Sequence, residues 1–554
     1  MKSFLKLSSC AGIILSTLTL SATAQAAYEQ DRTYQLTVLH TNDLHGRFWS
    51  NNNGEYGLAA QKTLIDRIRK EVAQKGGEVI LLNAGDYNTG IPESDLQNAK
   101  PDIEAMNIIG YEALTLGNHE FDNPLQLLDM QEGWAKFPFL SANVFNKKDG
   151  SLLVKPYTIL DKQGLKVAVV GLTTEDTAKL GNPEFISNVE FVRPAEAAKD
   201  VLASLDKNEK PDIKIALTHM GYYHNAQYGS NAPGDVSMVR ELNKGAFDMV
   251  LGGHSHDTVC INDDGSFNLQ YKPGDACKPA FENGTWIMQA GEWGKYVGRA
   301  DFEFKNGELK LVNYQLVPVN LKDKVKNAEG KTEYVLFQEE IPADAELLAH
   351  LKTYQDKGDE LLGVEVGSVN EKLEGDRSVI RFQQTNLGQL IARSQQERAK
   401  ADIGIMNSGG IRASIEPGKV TYKDILTVQP FGNIISYVEL NGQQLLDYLD
   451  VVALKEVDSG AYAQFAGISM TVDRTAKKVS DVKIGGKPLD LKKVYRVSLP
   501  SYTAAGGDGY PVVSDNPTYV NTGFVDAESL KQYFEENSPI DAAKFKANEE
   551  IIYK

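Results

Sequence analysis

Seven side chains able to bind a metal ion follow short apolar runs in the first half of the chain. Each run is typical of a buried strand, and the polar residues come directly after it in NDLH, NAGD, LGNH, ALTH and GGHSH. The carboxyl ends of neighbouring strands converge in an α/β sheet, so these side chains are expected to meet in space. They are Asp43, His45, Asp86, Asn118, His219, His254 and His256.

This set of side chains predicts a site for two divalent ions. Imidazole, carboxylate and amide oxygen without thiolate suit Zn²⁺ or Mn²⁺, with Co²⁺ or Mg²⁺ as alternatives. Seven ligands are too many for one tetrahedral ion, and Asp86 is the natural carboxylate for two ions to share. Two ions roughly 3.5–4 Å apart would hold a hydroxide and clamp a phosphoryl group, which predicts in-line hydrolysis.

His119 and Asp122, in the segment GNHEFD, are predicted to act on the substrate rather than on the ions. His119 directly follows Asn118, and Asp122 comes three residues later. A carboxylate that accepts a proton from one ring nitrogen would aim the imidazole at the phosphoryl group and stabilise its charge. The alternative interpretation is an ordinary surface turn.

The net charge requires that any anionic substrate be held by locally concentrated cations. The formal charge is −17, and removal of the two lysines in residues 1–26 makes it −19. Such a surface repels nucleic acid polymers and anionic membranes. Arg377, Arg381 and Arg412 are candidates for a phosphate pocket, because guanidinium groups bind phosphate oxygens in bidentate fashion. Surface salt bridges are the alternative for each arginine.

Two aromatic residues in the last third of the chain are candidates for stacking on a nucleotide base. Phe431 precedes Asn433 in VQPFGNII, and Tyr502 precedes Asp508 in SYTAAGGDGYP. Stacking on an aromatic ring contributes roughly 1–3 kcal/mol per base. Ordinary core packing is the alternative for either ring.

The N-terminus is predicted to be a secretory signal peptide that is cut after Ala26. Lys2 and Lys6 precede the apolar run AGIILSTLTL, and small residues follow it. We therefore expect a periplasmic, monomeric protein without stable membrane association. A lipid anchor on Cys10 is disfavoured because this cysteine precedes the apolar run.

Two cysteines remain after removal of the signal peptide, Cys260 and Cys277. In an oxidising compartment they are expected to form a disulfide, which would contribute roughly 3 kcal/mol in the loop-entropy description. The alternative is a zinc site together with His256.

The length of 554 residues predicts at least two domains. Residues 27–341 alternate strands with amphipathic helices, which predicts an α/β phosphoesterase domain. Residues 342–362 are predicted to form one helix, with Pro342 and Asp344 suited to its start. It is expected to be a linker between the two domains or, as the alternative, an ordinary domain helix. Residues 363–554 mix strands, helices and Gly-rich turns, which predicts a second, smaller α+β or mixed α/β domain. It contains the arginine and aromatic candidates given above, so it is expected to bind the nucleotide.

The ordered motifs resemble the signature of the calcineurin-like metallophosphoesterases, and the whole mature chain resembles the two-domain 5′-nucleotidase/UDP-sugar hydrolases of that family. The resemblance implies a four-layer α/β/β/α first domain and a second domain that rotates, so open and closed arrangements are expected. It implies a first ion held by Asp43, His45, Asp86 and His256, and a second held by Asp86, Asn118, His219 and His254. Some relatives carry Gln or Asn where this chain has His256.

The same resemblance assigns roles in the nucleotide pocket. It places the base between Phe431 and Tyr502, the polar base contact at Asn433 and the ribose contact at Asp508. Tyr502 is a departure, because relatives usually carry Phe at this position. Further contacts implied by the resemblance are Asn407 and Gly460.

Together these features predict a hydrolase that converts nucleoside 5′-monophosphates to nucleoside and phosphate. The resemblance adds UDP-sugars and other nucleotides to the substrates. A closer alternative is a 2′,3′-cyclic-nucleotide phosphodiesterase with 3′-nucleotidase activity, and a more distant one is a periplasmic nucleotide-binding protein without catalysis. The sequence contains no Walker A pattern and no convincing nucleophile elbow, so a phosphoenzyme or acyl-enzyme is not indicated.

Overall fold

A computed structural model describes residues 28–181, 183–229, 231–327 and 331–554. The predicted signal peptide and Cys10 lie outside the described residues. Within the described ranges, every helix is too short or too polar to cross a bilayer.

Two six-stranded sheets form the first half of the chain, and each has four parallel strands in its middle or at one side. Antiparallel strands complete the edges. The first sheet contains, in spatial order, Glu308–Pro318, Tyr296–Lys305, Tyr34–Thr41, Glu78–Asn83, Ala113–Thr115 and Phe139–Leu140. The second contains Ala280–Glu282, Thr285–Gln289, Met249–Gly252, Ile213–His219, Leu165–Thr173 and Tyr157–Lys162.

The two sheets pack face to face, and helices cover their outer faces. Because side chains alternate along a strand, Val38 packs between the sheets while Leu39 packs under the outer helices of the first sheet. Val169 and Val170 divide in the same way in the second sheet. The covering helices are Leu58–Gln74, Lys100–Ile109 and Leu125–Trp134 on the first sheet, and Pro194–Asn208 and Asp235–Glu241 on the second. The expected α/β/β/α layering is confirmed.

A five-stranded and a four-stranded sheet form the centre of the last part of the chain. Helices Asn386–Arg398 and Asp526–Asn537 pack on one face of the larger sheet, and helix Gly442–Val452 packs on the other. The larger sheet contains Ala463–Ala466, Ile403–Asn407, Val494–Pro500, Ile434–Asn441 and Val520–Val525. The smaller contains Lys487–Pro488, Lys478–Ile484, Ile468–Asp473 and Ile551–Tyr553.

Shorter elements connect these layers. The short helices are Pro92–Asp95, Thr177–Leu180, Pro183–Ile186, Arg377–Ile380, Tyr422–Val428, Ser501–Ala504 and Ala547–Glu550. The two-stranded pairs are Val144–Asn146 with Val189–Phe191, Lys322–Lys326 with Thr332–Leu336, and Glu365–Val369 with Gly418–Thr421.

The helix predicted between the two halves spans Ala345–Leu362. Asp344 caps it, since its carboxylate accepts from the backbone N–H of Leu347 at 2.9 Å. Leu347 and Leu351 are buried in the core of the first half. The helix therefore packs on the first domain and is not a free connector, while the domain boundaries given above remain predictions.

The disulfide expected between Cys260 and Cys277 is present. Both residues are buried near the two-sheet core. The alternative zinc site on these sulfur atoms is therefore wrong.

Candidate active site

The predicted metal ligands of the first domain lie at the carboxyl ends of parallel strands. Asp43 follows strand Tyr34–Thr41, and Asp86 follows the adjacent strand Glu78–Asn83. His219 is the last residue of strand Ile213–His219 in the second sheet. The two sheets thus deliver their polar ends to a common edge, as the sequence predicts.

The backbone at this edge is held in an unusual conformation. A positive φ is rare outside glycine and costs on the order of 1–3 kcal/mol, so it persists where surrounding contacts enforce it. Five of the seven predicted ligands have φ between 50° and 83°, and they are Asp43, His45, Asp86, His254 and His256. The concentration of positive φ angles at this edge is typical of a functional site, where surrounding contacts hold a strained backbone in place.

A close approach between two loops positions Asp86. A Cβ atom on Gly117 would lie 2.1 Å from Oδ1 of Asp86, so only glycine fits at this position. Glu120 ties the same loops together, because its carboxylate accepts from the backbone N–H groups of Asp86 at 3.0 Å and Gly117 at 2.6 Å. Glu120 is visible in the segment GNHE but was not predicted as a site residue.

Three histidines have their metal-binding nitrogen defined by the partner of the other ring nitrogen. Nδ1 of His45 faces the carbonyl of Thr89 at 2.9 Å, and Nδ1 of His219 faces the carbonyl of Ala84 at 2.7 Å. Nδ1 of His256 faces the carboxylate of Glu292 at 2.7 Å. A nitrogen facing such an oxygen carries the proton, so in each neutral ring Nε2 presents a lone pair.

These lone pairs converge with the carboxylates. Nε2 of His45 lies 3.2 Å from Nε2 of His256, and that of His256 lies 3.2 Å from Oδ1 of Asp43. Nε2 of His219 lies 2.9 Å from Oδ2 of Asp86. Two nitrogen lone pairs at this separation repel each other unless a cation lies between them, so the donor set fits divalent metal ions.

The donor atoms fall into three groups of metal-binding size. Two of the groups correspond to the two predicted sites. The third combines His119 with His45, predicted for the first ion, and with Asp86, predicted for both ions. Nδ1 of His254 also lies 2.8 Å from Oδ1 of Asn118, the remaining residue predicted for the second ion. The three groups are Asp43, His45 and His256; Asp86, His219 and His254; and His45, Asp86 and His119.

The ionisable side chains at this edge shift one another's pKa values. Burial favours a raised pKa for Asp86, but the neighbouring His219 and His119 hold that pKa well below its usual value. Burial favours a lowered pKa for His119, yet the carboxylates of Asp122 and Asp86 raise it. Nδ1 of His119 lies 2.6 Å from Oδ2 of Asp122, which is the pairing predicted from the sequence.

A cavity of about 420 Å³ lies between the two domains, above this edge. First-domain residues Asp86, Asn118, His119 and Asp122 line one wall. All nine predicted substrate residues line the cavity as well: Arg377, Arg381, Asn407, Arg412, Phe431, Asn433, Gly460, Tyr502 and Asp508. The structure brings the two predicted sets together, while the role of each residue remains a prediction.

The three arginines of the cavity repel one another. Burial, followed by the charges of Arg377 and Arg412, lowers the pKa of Arg381 to about 9. Burial and Arg377 also lower the pKa of Arg412. An anion placed among them would relieve this repulsion, which favours a phosphate pocket over surface salt bridges.

The Tyr502 hydroxyl, which is the departure noted in the sequence, bonds to the predicted ribose contact. It donates to Oδ1 of Asp508 at 3.0 Å and accepts from the Asp508 backbone N–H at 3.1 Å. Asn407 donates to Oδ2 of the same carboxylate at 2.8 Å. The Asp508 carboxylate is therefore held by two donors before any substrate contacts it.

The two domains touch directly across the cavity. The ring of Phe431 lies parallel to that of His119, with centroids 5.9 Å apart and an interplanar angle of 12°. Lys423 forms an ion pair with the buried Glu93 of the first domain. Phe431 and His119 therefore bring the two matched parts of the chain into contact at the cavity.

The two halves of the chain match two known families. Residues 36–258 match the calcineurin-like phosphoesterases, and residues 365–515 match the 5′-nucleotidase C-terminal domain. The chain is 58% identical to a 5′-nucleotidase of Vibrio cholerae over 542 residues, 98% of each chain. It is 54% identical to Protein UshA of Escherichia coli over 541 residues, again 98% of each. The crystal structure of a 5′-nucleotidase precursor from Thermus thermophilus superposes with a TM-score of 0.71 at 28% identity, covering 94% of this chain and 99% of that one.

Proposed function

Because this chain belongs to the 5′-nucleotidase family of calcineurin-like metallophosphoesterases, we propose that it hydrolyses nucleoside 5′-monophosphates to nucleoside and phosphate. UDP-sugars and other nucleotides are further substrates in this proposal. The protein acts in the periplasm as a monomer with two divalent ions, Zn²⁺ or Mn²⁺ before Co²⁺ or Mg²⁺. A signal peptide of residues 1–26 exports it.

The observation that carries the proposal is a single cavity lined by a metal-binding edge and by a cationic, aromatic pocket. The metal-binding edge explains phosphoryl chemistry but not substrate choice. The second-domain residues offer contacts for the groups that distinguish a nucleotide from free phosphate, namely the ribose and the flat base, and they offer cations for the phosphate charge.

The side chains of the first domain define how the phosphoryl group is handled. The chemistry that two divalent ions supply at such a site is polarisation of the phosphoryl oxygens and activation of water. His119, held through Nδ1 by Asp122, aims Nε2 at the reacting group and stabilises its developing charge. Oδ1 of Asp86 accepts a hydrogen bond from the backbone N–H of His119 at 2.9 Å, which also helps to hold His119 in place.

The side chains of the second domain hold the rest of the nucleotide. Arg377, Arg381 and Arg412 neutralise phosphate oxygens, and the base stacks between Phe431 and Tyr502. Their binding energy is remote from the reaction and serves to orient the phosphoryl group. Residues that contact the base or ribose in this proposal are Asn407, Asn433, Gly460 and Asp508.

Rotation of the second domain is part of the proposal, as the family resemblance implies. The contact between Phe431 and His119 leaves a cavity that a nucleotide enters most easily when the domains separate. In the proposal, residues 342–362 connect the metal domain, residues 27–341, to the nucleotide domain, residues 363–554, and the second domain rotates there.

A substrate panel tests the proposal. The products are measured with two equivalents of Mn²⁺ or Zn²⁺ and with a chelator: phosphate from AMP, UMP and glucose 1-phosphate from UDP-glucose, and the nucleoside monophosphate from 2′,3′-cyclic AMP. We expect metal-dependent hydrolysis of AMP and UDP-glucose. Turnover of the cyclic nucleotide alone would favour the phosphodiesterase alternative, and tight AMP binding without turnover would favour a transport-type binding protein.

Replacing Phe431 with Ala is expected to lower kcat/KM for AMP by one to two powers of ten, from roughly 1–3 kcal/mol of lost stacking. Hydrolysis of bis(p-nitrophenyl) phosphate should change much less, because this substrate has no nucleoside base. The measurement is kcat/KM for both substrates at matched metal occupancy.

Phe524 provides a matched control for this variant. Arg398 lies 3.7 Å above its ring, as Arg412 lies 5.5 Å above that of Phe431, but Phe524 does not line the cavity. Phe524→Ala should leave both substrates unaffected. Equal losses on the two substrates in Phe431→Ala would mean that this ring supports His119 or the domain contact, and the base-stacking assignment would be wrong.

A further inference from the structure

The segment 290–295 is fixed against the first metal-binding loop by backbone hydrogen bonds. The N–H of Trp293 donates to the carbonyl of Asp43 at 2.6 Å, and Trp293 itself has a φ of 61°. The N–H of Ala290 donates to the side chain of Asn42 at 2.9 Å. A non-glycine residue held in the left-handed region shows that the surrounding contacts determine this conformation.

Glu292 in this segment joins a predicted ligand to a cation. Its Oε2 accepts from Nδ1 of His256 at 2.7 Å, and its Oε1 accepts from Nζ of Lys295 at 2.7 Å. All three side chains are largely sheltered from solvent, with 19–30% of their surface exposed. The carboxylate is therefore held on one side and orients the imidazole on the other.

This arrangement differs from that of the other oriented histidines. His45 and His219 use the backbone carbonyls of Thr89 and Ala84. Among the described contacts of these three rings, His256 is the one whose Nδ1 partner is a charged side chain. Of the two predicted sites, the one that contains His256 therefore has a carboxylate behind one of these rings, whereas His219 in the other site has a backbone carbonyl.

We propose that Glu292 is a positioning residue for His256 and selectively strengthens the ion held by Asp43, His45 and His256. The inference rests on the dimetal centre of the proposed function. A carboxylate that accepts from Nδ1–H fixes the ring orientation and makes Nε2 a better donor to a metal. Lys295 keeps the Glu292 carboxylate in place for this role.

Metal titration of Glu292→Gln tests the proposal directly. Gln has the same shape and retains an oxygen that can accept from Nδ1, but it lacks the charge. Metal-free protein is titrated with Mn²⁺, and free Mn²⁺ is measured by electron paramagnetic resonance. We expect two tight ions in the unaltered protein, and in the variant one unchanged Kd and one raised about 10–100-fold.

The unchanged ion is an internal control for folding, and a variant of Glu71 is an external one. Glu71 accepts from Arg299 at 3.0 Å and contacts none of the predicted ligands, so Glu71→Gln should bind both ions normally. Glu292→Ala, which also removes the acceptor, should weaken the same ion at least as much as Glu292→Gln does.

Two results would overturn the inference alone: unchanged affinity for both ions in Glu292→Gln, or equal weakening of both. Fewer than two ions bound to the unaltered protein would overturn the dimetal centre and, with it, this inference. Excess Mn²⁺ should restore AMP hydrolysis by Glu292→Gln, since the residue acts on affinity and not on the reacting group.

Discussion

Asp86→Asn is expected to lower kcat for AMP by about three powers of ten or more, because metal ions contribute several kcal/mol of charge stabilisation. The substitution keeps the shape of the side chain but removes the charge that both predicted sites share. Bound metal, measured by mass spectrometry after dialysis, should fall below two ions per chain. Chelation of the unaltered protein should cause a loss of the same order.

Asp102 offers a matched control for this variant. It is also a fully buried aspartate of the first domain, and its hydrogen-bond partner is Ser94 rather than a predicted ligand. Asp102→Asn should retain both ions. If Asp86→Asn retained two tight ions and full activity, Asp86 would not bridge the sites and the ligand assignment would have to change.

The convergence of the metal ligands was predictable because it follows from strand order. Parallel strands deliver their carboxyl ends to one edge, so Asp43, Asp86 and Asn118 had to approach one another once the sheet was recognised. The pairing of His119 with Asp122 was predictable for a local reason, since both lie in one short turn. The division of Val38 and Leu39 between two layers was not predictable in this way, because both residues are apolar and the four layers were expected only from the resemblance.

Other contacts depend on tertiary relations that no local pattern encodes. Glu292 reaches His256 because its loop folds back on the first metal-binding loop, and a glutamate after a strand carries no signal of that return. The stacking of Phe431 on His119 depends on how the first and last parts of the chain pack against each other. The bond from Tyr502 to Asp508 depends on the left-handed turn at Asp508, whose φ is 56°.

The contact between the rings of Phe431 and His119 joins the predicted base pocket to the predicted catalytic residue. His119 touches Phe431 on one side and lies with its centroid 5.0 Å from that of His45 on the other. A base stacked on Phe431 would therefore contact a ring that itself lies against His119, next to the predicted position of the phosphoryl group. Substitution of Phe431 should therefore weaken base binding without affecting the chemical step only if His119 keeps its orientation when the Phe431 ring is absent.

His119→Ala is expected to lower kcat for AMP by roughly 10²–10³-fold, the usual cost of removing one group that stabilises transition-state charge. KM and the number of bound ions should change little, because the residue acts on the phosphoryl group. Asp122→Asn should give a smaller loss in the same direction, since the imidazole remains but its orientation and charge are less well supported. The measurements are kcat, KM and metal content for each variant.

A second histidine–carboxylate pair serves as a control, because it tests whether loss of any such pair lowers activity or only loss of the pair in the cavity. His350 contacts Glu104 at 2.7 Å on the helix between the domains, outside the cavity, so His350→Ala should retain activity. The rival role for His119 is that of a ligand, because its donor atom groups with those of His45 and Asp86. A fall from two ions to one in His119→Ala would establish that role. An unchanged pair of ions with a collapsed kcat would instead place His119 on the substrate, where its hydrogen bond to Asp122 directs it.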